Sequence, residues 1–187
     1  LLHAARSQDS GAASPKDEFW SECMALRDLL KFEFFFAERS EYQEEIAAEM
    51  QRIAFDWERQ LDAGSARDLL VAARPFRSGA VLKPFLEAYR IVADAVAIFP
   101  PDTAVDQAEL LEASIALGKQ YEAQRKIQSV ESVSTVLFDS AIKLAANRGI
   151  LEASATRSEF AADITAIVSH LYALEALEAG LDAGITS

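Results

Sequence analysis

PFLEAYRIVADAVAIFPP, residues 84–101, decides what kind of fold this chain makes. Phe85, Tyr89, Val92, Val96 and Phe99 recur at alternating intervals of four and three. That spacing stacks them on one face of an α-helix and would scatter them over both faces of a strand. A residue that precedes proline is disfavoured in helical geometry, so the sequence predicts a helix that starts at Pro84. Pro100-Pro101 ends it, because neither residue can donate a backbone hydrogen bond.

The same spacing continues downstream. Asp106 with Glu109 three residues on predicts a capped helix reaching about Ile127. Ser129 opens another, buried through Val133, Val136, Leu137, Ile142 and Leu144, with Asn147-Arg148-Gly149 as its stop. Thr156 or Ser158 caps a last helix to about Gly180. Upstream, Ser65 to Ala73 reads as a short helix. Residues 40–64 carry the stripe Ile46, Met50, Ile53, Trp57 and Leu61. Ser14-Pro15 starts a first helix running to about Phe36. Residues 1–13 read as a leader or linker, and 14–187 as one helical domain. The expected fold is all-α, a bundle-like domain of about seven helices. Short apolar stretches such as Gly149–Leu151 are expected to pair as a small wing, which would make a winged-helix-like unit near the C-terminal half.

Composition agrees. Hydrophobic residues make up 51% of the chain, enough for a sizeable core, while only 7 glycines and 5 prolines interrupt it. One cysteine, Cys23, excludes an internal disulfide. The net charge of −12 disfavours nonspecific binding of nucleic acid, and no nucleic-acid partner is expected. No uninterrupted apolar run approaches the roughly 18–20 residues that span a bilayer. The chain begins with Leu1 rather than Met and is expected to be a piece of a longer protein.

Few residues suggest chemistry. His170 has Glu175 five positions on, about 500° round a helix, so the two side chains diverge by about 140°. There is no HExxH, no glycine-rich phosphate loop and no Ser-His-Asp set; neither a catalytic residue, a metal nor a cofactor is expected. The acidic run Glu41–Glu49 reads as a solvated helix face. Residues 65–90 differ, with Arg67, Arg74, Arg77, Lys83 and Arg90 against only Asp68 and Glu87. Arg74, Arg77 and Lys83 are therefore candidates for contact with a membrane surface or a phosphate group. The competing expectation is a structural network with nearby acids. Phe32, Phe34, Phe35 and Phe36 cannot all face one way on a helix. They are candidates for packing against a second domain, with Phe32, Phe35 and Phe36 on one face and Phe34 on another; the competing expectations are a bilayer as the second surface and a cluster wholly internal to this domain's core.

Four segments carry a wider resemblance: LRDLLKFEFFF (26–36), VLKPFLEAYRIVADA (81–95), GKQYEAQRKI (118–127) and ESVSTVLFDSAIKLAANRGIL (131–151). In this order they resemble the C-terminal region of bacterial and mitochondrial membrane-bound glycerol-3-phosphate acyltransferases. The resemblance implies a parent enzyme that moves a fatty acyl group from acyl-CoA or acyl carrier protein to the 1-hydroxyl of glycerol 3-phosphate. It also implies peripheral attachment at the cytoplasmic face of the cell membrane and an upstream catalytic domain as partner. That family's His-x4-Asp pair does not occur here: His3 is followed at the required position by Gln8, and His170 by Glu175. The catalytic domain is thus expected outside this chain, and this part is expected to be noncatalytic. The alternative reading is a free-standing helical interaction or regulator domain with a degenerate helix-turn-helix.

Overall fold

A computed structural model describes residues 1–2, 4–5 and 14–185, with the backbone alone at 77–78 and 181–185. Among the described residues there are eight α-helices and no strand. They are α1 (Pro15–Leu29), α2 (Arg39–Ile53), α3 (Trp57–Asp62), α4 (Ala66–Ala72), α5 (Arg77–Ile98), α6 (Gln107–Ala123), α7 (Thr135–Asn147) and α8 (Arg157–Ile185). A 3₁₀ turn, Val130–Ser132, precedes α7. The chain forms two compact units, Leu1–Arg77 with Ala176–Ser187, and Ser78–Glu175.

In the first unit, Phe19 and Trp20 of α1 meet Trp57 of α3, with ring centroids 5.3 and 5.9 Å apart. Met50, Leu61, Ala66 and Leu69 complete this core, and Ile46, Ile53 and Cys23 pack against it. Of the expected leader, His3 and residues 6–13 lie outside the described residues; Ala4 is buried in the core. The single helix expected over 40–64 is broken. Ala54 adopts extended geometry (φ −150°, ψ 122°) and α3 starts afresh at Trp57. Asp56 sits at the restart, and its carboxylate accepts from Arg59 and Gln60, three and four residues ahead. The break buries Trp57 and Leu61 and leaves Phe55 exposed.

In the second unit, α5 is enclosed. Leu86, Ala88, Tyr89, Ile91, Val92, Ala93, Ala95 and Val96 are all buried, a wider surface than the five-residue stripe requires. The helix starts seven residues before the expected Pro84, which lies inside it. The sequence preference at Leu82-Lys83 is overridden by tertiary packing of the earlier turns. Gly79 is one such site: a Cβ there would lie 2.9 Å from Leu171. Gly118 serves α6 in the same way, since its missing side chain would meet Val133 and Phe138 at 3.2 and 3.3 Å. Phe160, Ile164, Val168 and Leu171 form the buried stripe of α8.

Asp106 caps α6 as expected, accepting from the amides of Ala108 and Glu109 at 2.9 and 3.2 Å. The helix stops at Ala123, before the expected Ile127, because Arg125 takes a left-handed conformation (φ 55°). Gly149, at φ 70°, stops α7 where expected. Residues 149–151 form a turn instead of a wing; their strand-like contact is one bond from the Val105 amide to the Leu151 carbonyl.

Candidate functional site

The Phe32–Phe36 segment is a loop, correcting the expectation that it continues the first helix. The helix ends at Leu29, and the amides of Glu33 and Phe34 both donate to the Leu30 carbonyl, turning the chain over. Consecutive aromatics are mediocre helix formers, so little opposes that turn. Arg27, in the last turn of α1, holds the result. Its Nη2 donates to the Ala37 carbonyl at 2.7 Å, and its guanidinium lies 5.9 Å from the Phe36 ring and 5.8 Å from the Tyr42 ring. Phe36 also meets Tyr42 edge-on at 5.6 Å and Phe34 at 6.2 Å.

The rings therefore sort differently from helical geometry. Phe34 and Phe36 turn inward and are half-buried. Phe32 is 39% exposed, with Lys31 Nζ 5.6 Å from its ring, and Phe35 is fully exposed at 101%. The loop leads into α2, whose Glu41, Glu44, Glu45 and Glu49 are exposed. The acidic run is the solvated face its composition indicates.

The basic residues of 65–90 are divided between the two units. Arg67, Arg74 and Arg77 belong to the first unit, and Lys83 and Arg90 to the second. Lys83 pairs with Glu175 at 2.5 Å and donates to Gln128 at 3.1 Å. Arg90 approaches Asp94 at 3.5 Å and the Tyr121 ring at 5.6 Å. Both are engaged inside their unit. Arg67 is exposed, Arg74, two residues past the end of α4, is half-buried, and the side chain of Arg77 lies outside the described residues.

Two buried polar centres were not singled out from sequence. Glu87 is fully buried on α5. It accepts from the amides of Gln128 (2.8 Å) and Ser129 (2.9 Å), the Ser132 hydroxyl (2.6 Å) and the Tyr172 hydroxyl. Burial, then that bond, pushes the Tyr172 phenol well above its usual range. Arg157 is equally enclosed. Its guanidinium donates to the carbonyls of Ile150 (3.0 Å), Thr103 (2.6 Å), Glu152 (2.7 Å) and Pro100, tying two loops together. The available signal for Glu87 was the breadth of apolar residues around it: a helix enclosed on all sides must satisfy any acid it carries. Arg157 carried no such signal, since its partners are all backbone.

His170 is half-buried in the middle of α8; His3 and Gln8 lie outside the described residues. No cluster of three or more potential metal ligands occurs among the described residues. Of the three acids that line a recess of about 490 Å³ beside Phe55, Asp56 is held by Arg59 and Gln60 and Glu58 by Lys16; the third is Asp62. Residues 157–180 of α8 are long and apolar enough, by length and composition, to cross a bilayer (mean hydropathy 1.3). Its stripe Phe160, Ile164, Val168 and Leu171 is buried, and 28% of the apolar window is buried overall.

The family model described as "Glycerol-3-phosphate acyltransferase C-terminal region" matches residues 1–154. Three similar proteins share the name "Putative acyltransferase plsB1". They come from Mycobacterium bovis and from the CDC 1551 and H37Rv strains of Mycobacterium tuberculosis. Each is 38% identical over 172 residues, an alignment that covers 88% of this chain and 27% of the relative. The chain thus spans about a quarter of the length of these relatives. No solved structure matches it.

Proposed function

The chain belongs to the family of glycerol-3-phosphate acyltransferase C-terminal regions, and from that premise we propose that it is a noncatalytic helical portion of such an enzyme. The whole protein makes 1-acyl-glycerol 3-phosphate from glycerol 3-phosphate and acyl-CoA or acyl carrier protein, for phospholipid synthesis. This portion packs on the catalytic part and supports its engagement with membrane or substrate.

The observation that carries this reading is a family match across most of the chain that brings no catalytic pair with it. A general base must reach the hydroxyl it deprotonates and be oriented by a partner. His170 sits in the middle of α8, and Glu175, five positions on, falls about 140° away round the helix, so these two do not make the family's His-x4-Asp pair. The polar interior of the second unit is spent on structure, as Glu87 and Arg157 show.

Membrane or phosphate contact falls to Arg74 and Arg77. Lys83 contributes less than its charge suggests, because Glu175 already neutralises it. Attachment is peripheral and on the cytoplasmic face. No nucleic-acid partner is proposed: α7, the would-be recognition helix, exposes Thr135, Val136, Asp139, Lys143, Ala146 and Asn147, in which the one cation is offset by one acid.

The test is glycerol-3-phosphate acylation in liposomes by this chain alone and by the full-length protein. Turnover only by the full-length protein supports the reading. Turnover by the chain alone overturns the noncatalytic assignment, and turnover by neither overturns the enzyme assignment.

A further inference from the structure

We propose that Phe35, held out from its loop by the Arg27 staple, is the anchor by which this portion docks on the acyltransferase part of the same protein. It enters an apolar pocket rimmed by basic side chains. The inference rests on the functional reading above and names the surface and its partner.

The loop is built to hold its shape. Two turn bonds to Leu30, the Arg27 bond to Ala37 and the Phe34–Phe36–Tyr42 stack fix the backbone on both sides of residue 35. A free surface loop needs none of this order. A binding loop gains from it, because little freedom is then lost on docking. What the scaffold presents is one fully exposed phenyl ring beside a second at 39%. Central aromatic anchors of this kind dominate binding energy at protein interfaces.

Four occupants are conceivable, and charge and size separate them. An anionic bilayer is disfavoured because α2, which the loop enters, exposes Glu41, Glu44, Glu45 and Glu49 against Arg39 and Arg52, a net negative surface of the same sign as the headgroups. A second copy is disfavoured because a two-fold contact sets each acidic helix near its equivalent. An untethered protein needs roughly 800 Å² from each partner, more than two rings provide. A partner in the same polypeptide needs far less, since tethering supplies an effective concentration in the millimolar range. The relatives have nearly three quarters of their length outside the matched part, which is room for such a partner. The glutamates then specify the basic rim.

The experiment uses the full-length protein with p-benzoylphenylalanine at position 35, irradiated in liposomes containing anionic lipid. Expected is a cross-link to a peptide of the acyltransferase part, with Arg or Lys near the linked residue. A cross-link to lipid, to a second copy, or to nothing in the protein overturns the proposal. In parallel, Phe35→Asp should lower acylation about tenfold, and Glu41, Glu44 and Glu45 all changed to Gln should lower it several-fold. Phe55→Ala, at an equally exposed ring in the same unit, should leave it unchanged. Equal effects of Phe35→Asp and Phe55→Ala would overturn a specific anchor. A full-length protein that cross-links as expected but acylates nothing would refute the enzyme reading and leave the interface standing.

Discussion

Glu87 shows how much one side chain holds in the second unit. Its four hydrogen-bond donors are all uncharged, and two are backbone amides of the segment leading to α7. Glu87→Ala strands these donors in the interior, at a cost of about 1–3 kcal/mol for an unsatisfied buried group. We expect a loss of about 3 kcal/mol, read as a lower urea midpoint for the full chain; an unchanged midpoint would mean that water replaces the carboxylate. Tyr121 makes a prediction about alkaline pH. Burial, then its 2.8 Å bond to Asp94, raises its phenol to about 12 from an ordinary 10. Below pH 10 both folded and unfolded forms keep the proton, and the contribution to stability is complete. Between pH 10 and about 12 the unfolded chain releases it first, so stability falls as pH rises. Tyr121→Phe should flatten that part of the thermal-stability profile without steepening it below pH 9. Cys23 is also shifted, with burial pushing its thiol to about 11. It should react with disulfide reagents at pH 8 far more slowly than a free cysteine.

At the scale of elements, legibility followed the chemistry of the ends. Asp106 was readable because an N-cap is local: one carboxylate and two amides within three residues decide it. Asp106→Ala should cost about 1 kcal/mol, visible as a lower melting temperature. Gly149 was readable for the same reason. The break at Ala54 was not, because helical spacing runs unbroken through Ile53, Trp57 and Leu61. What decides it is burial of Trp57 against Phe19 and Trp20, far away in sequence. The start of α5 was missed for a similar reason: the Pro84 preference is local and weak, and contacts such as Gly79 with Leu171 are neither. Gly118→Val tests the α6–α7 approach. It sets branched carbons against Val133 and Phe138, and overpacking of that kind costs about 1–3 kcal/mol.

For the molecule as a whole, the helical class was legible from periodicity, and the family from four segments spread along the chain. The candidate site was legible only in part. The sequence marked Phe32–Phe36 as the unusual stretch, yet assumed a helix and so sorted the rings wrongly. Arg27 sets their orientation through a carbonyl ten residues away, and a backbone acceptor leaves no trace in side-chain patterns. The basic residues were visible as a group in sequence, but their pairing with Glu175 and Asp94 depends on the packed second unit. What remains is two helical units whose buried polar centres, Glu87 and Arg157, are structural, and an aromatic loop that holds Phe35 out to solvent. The claim that these units serve catalysis without performing it is tested most directly by removal. Initial rates of glycerol-3-phosphate acylation should be measured for the full-length protein, for the protein lacking the part matching residues 14–187, and for this chain alone. The account predicts a loss of about tenfold or more on removal and no turnover by the chain. A shortened enzyme that keeps its full rate, or a chain that turns over unaided, would contradict it.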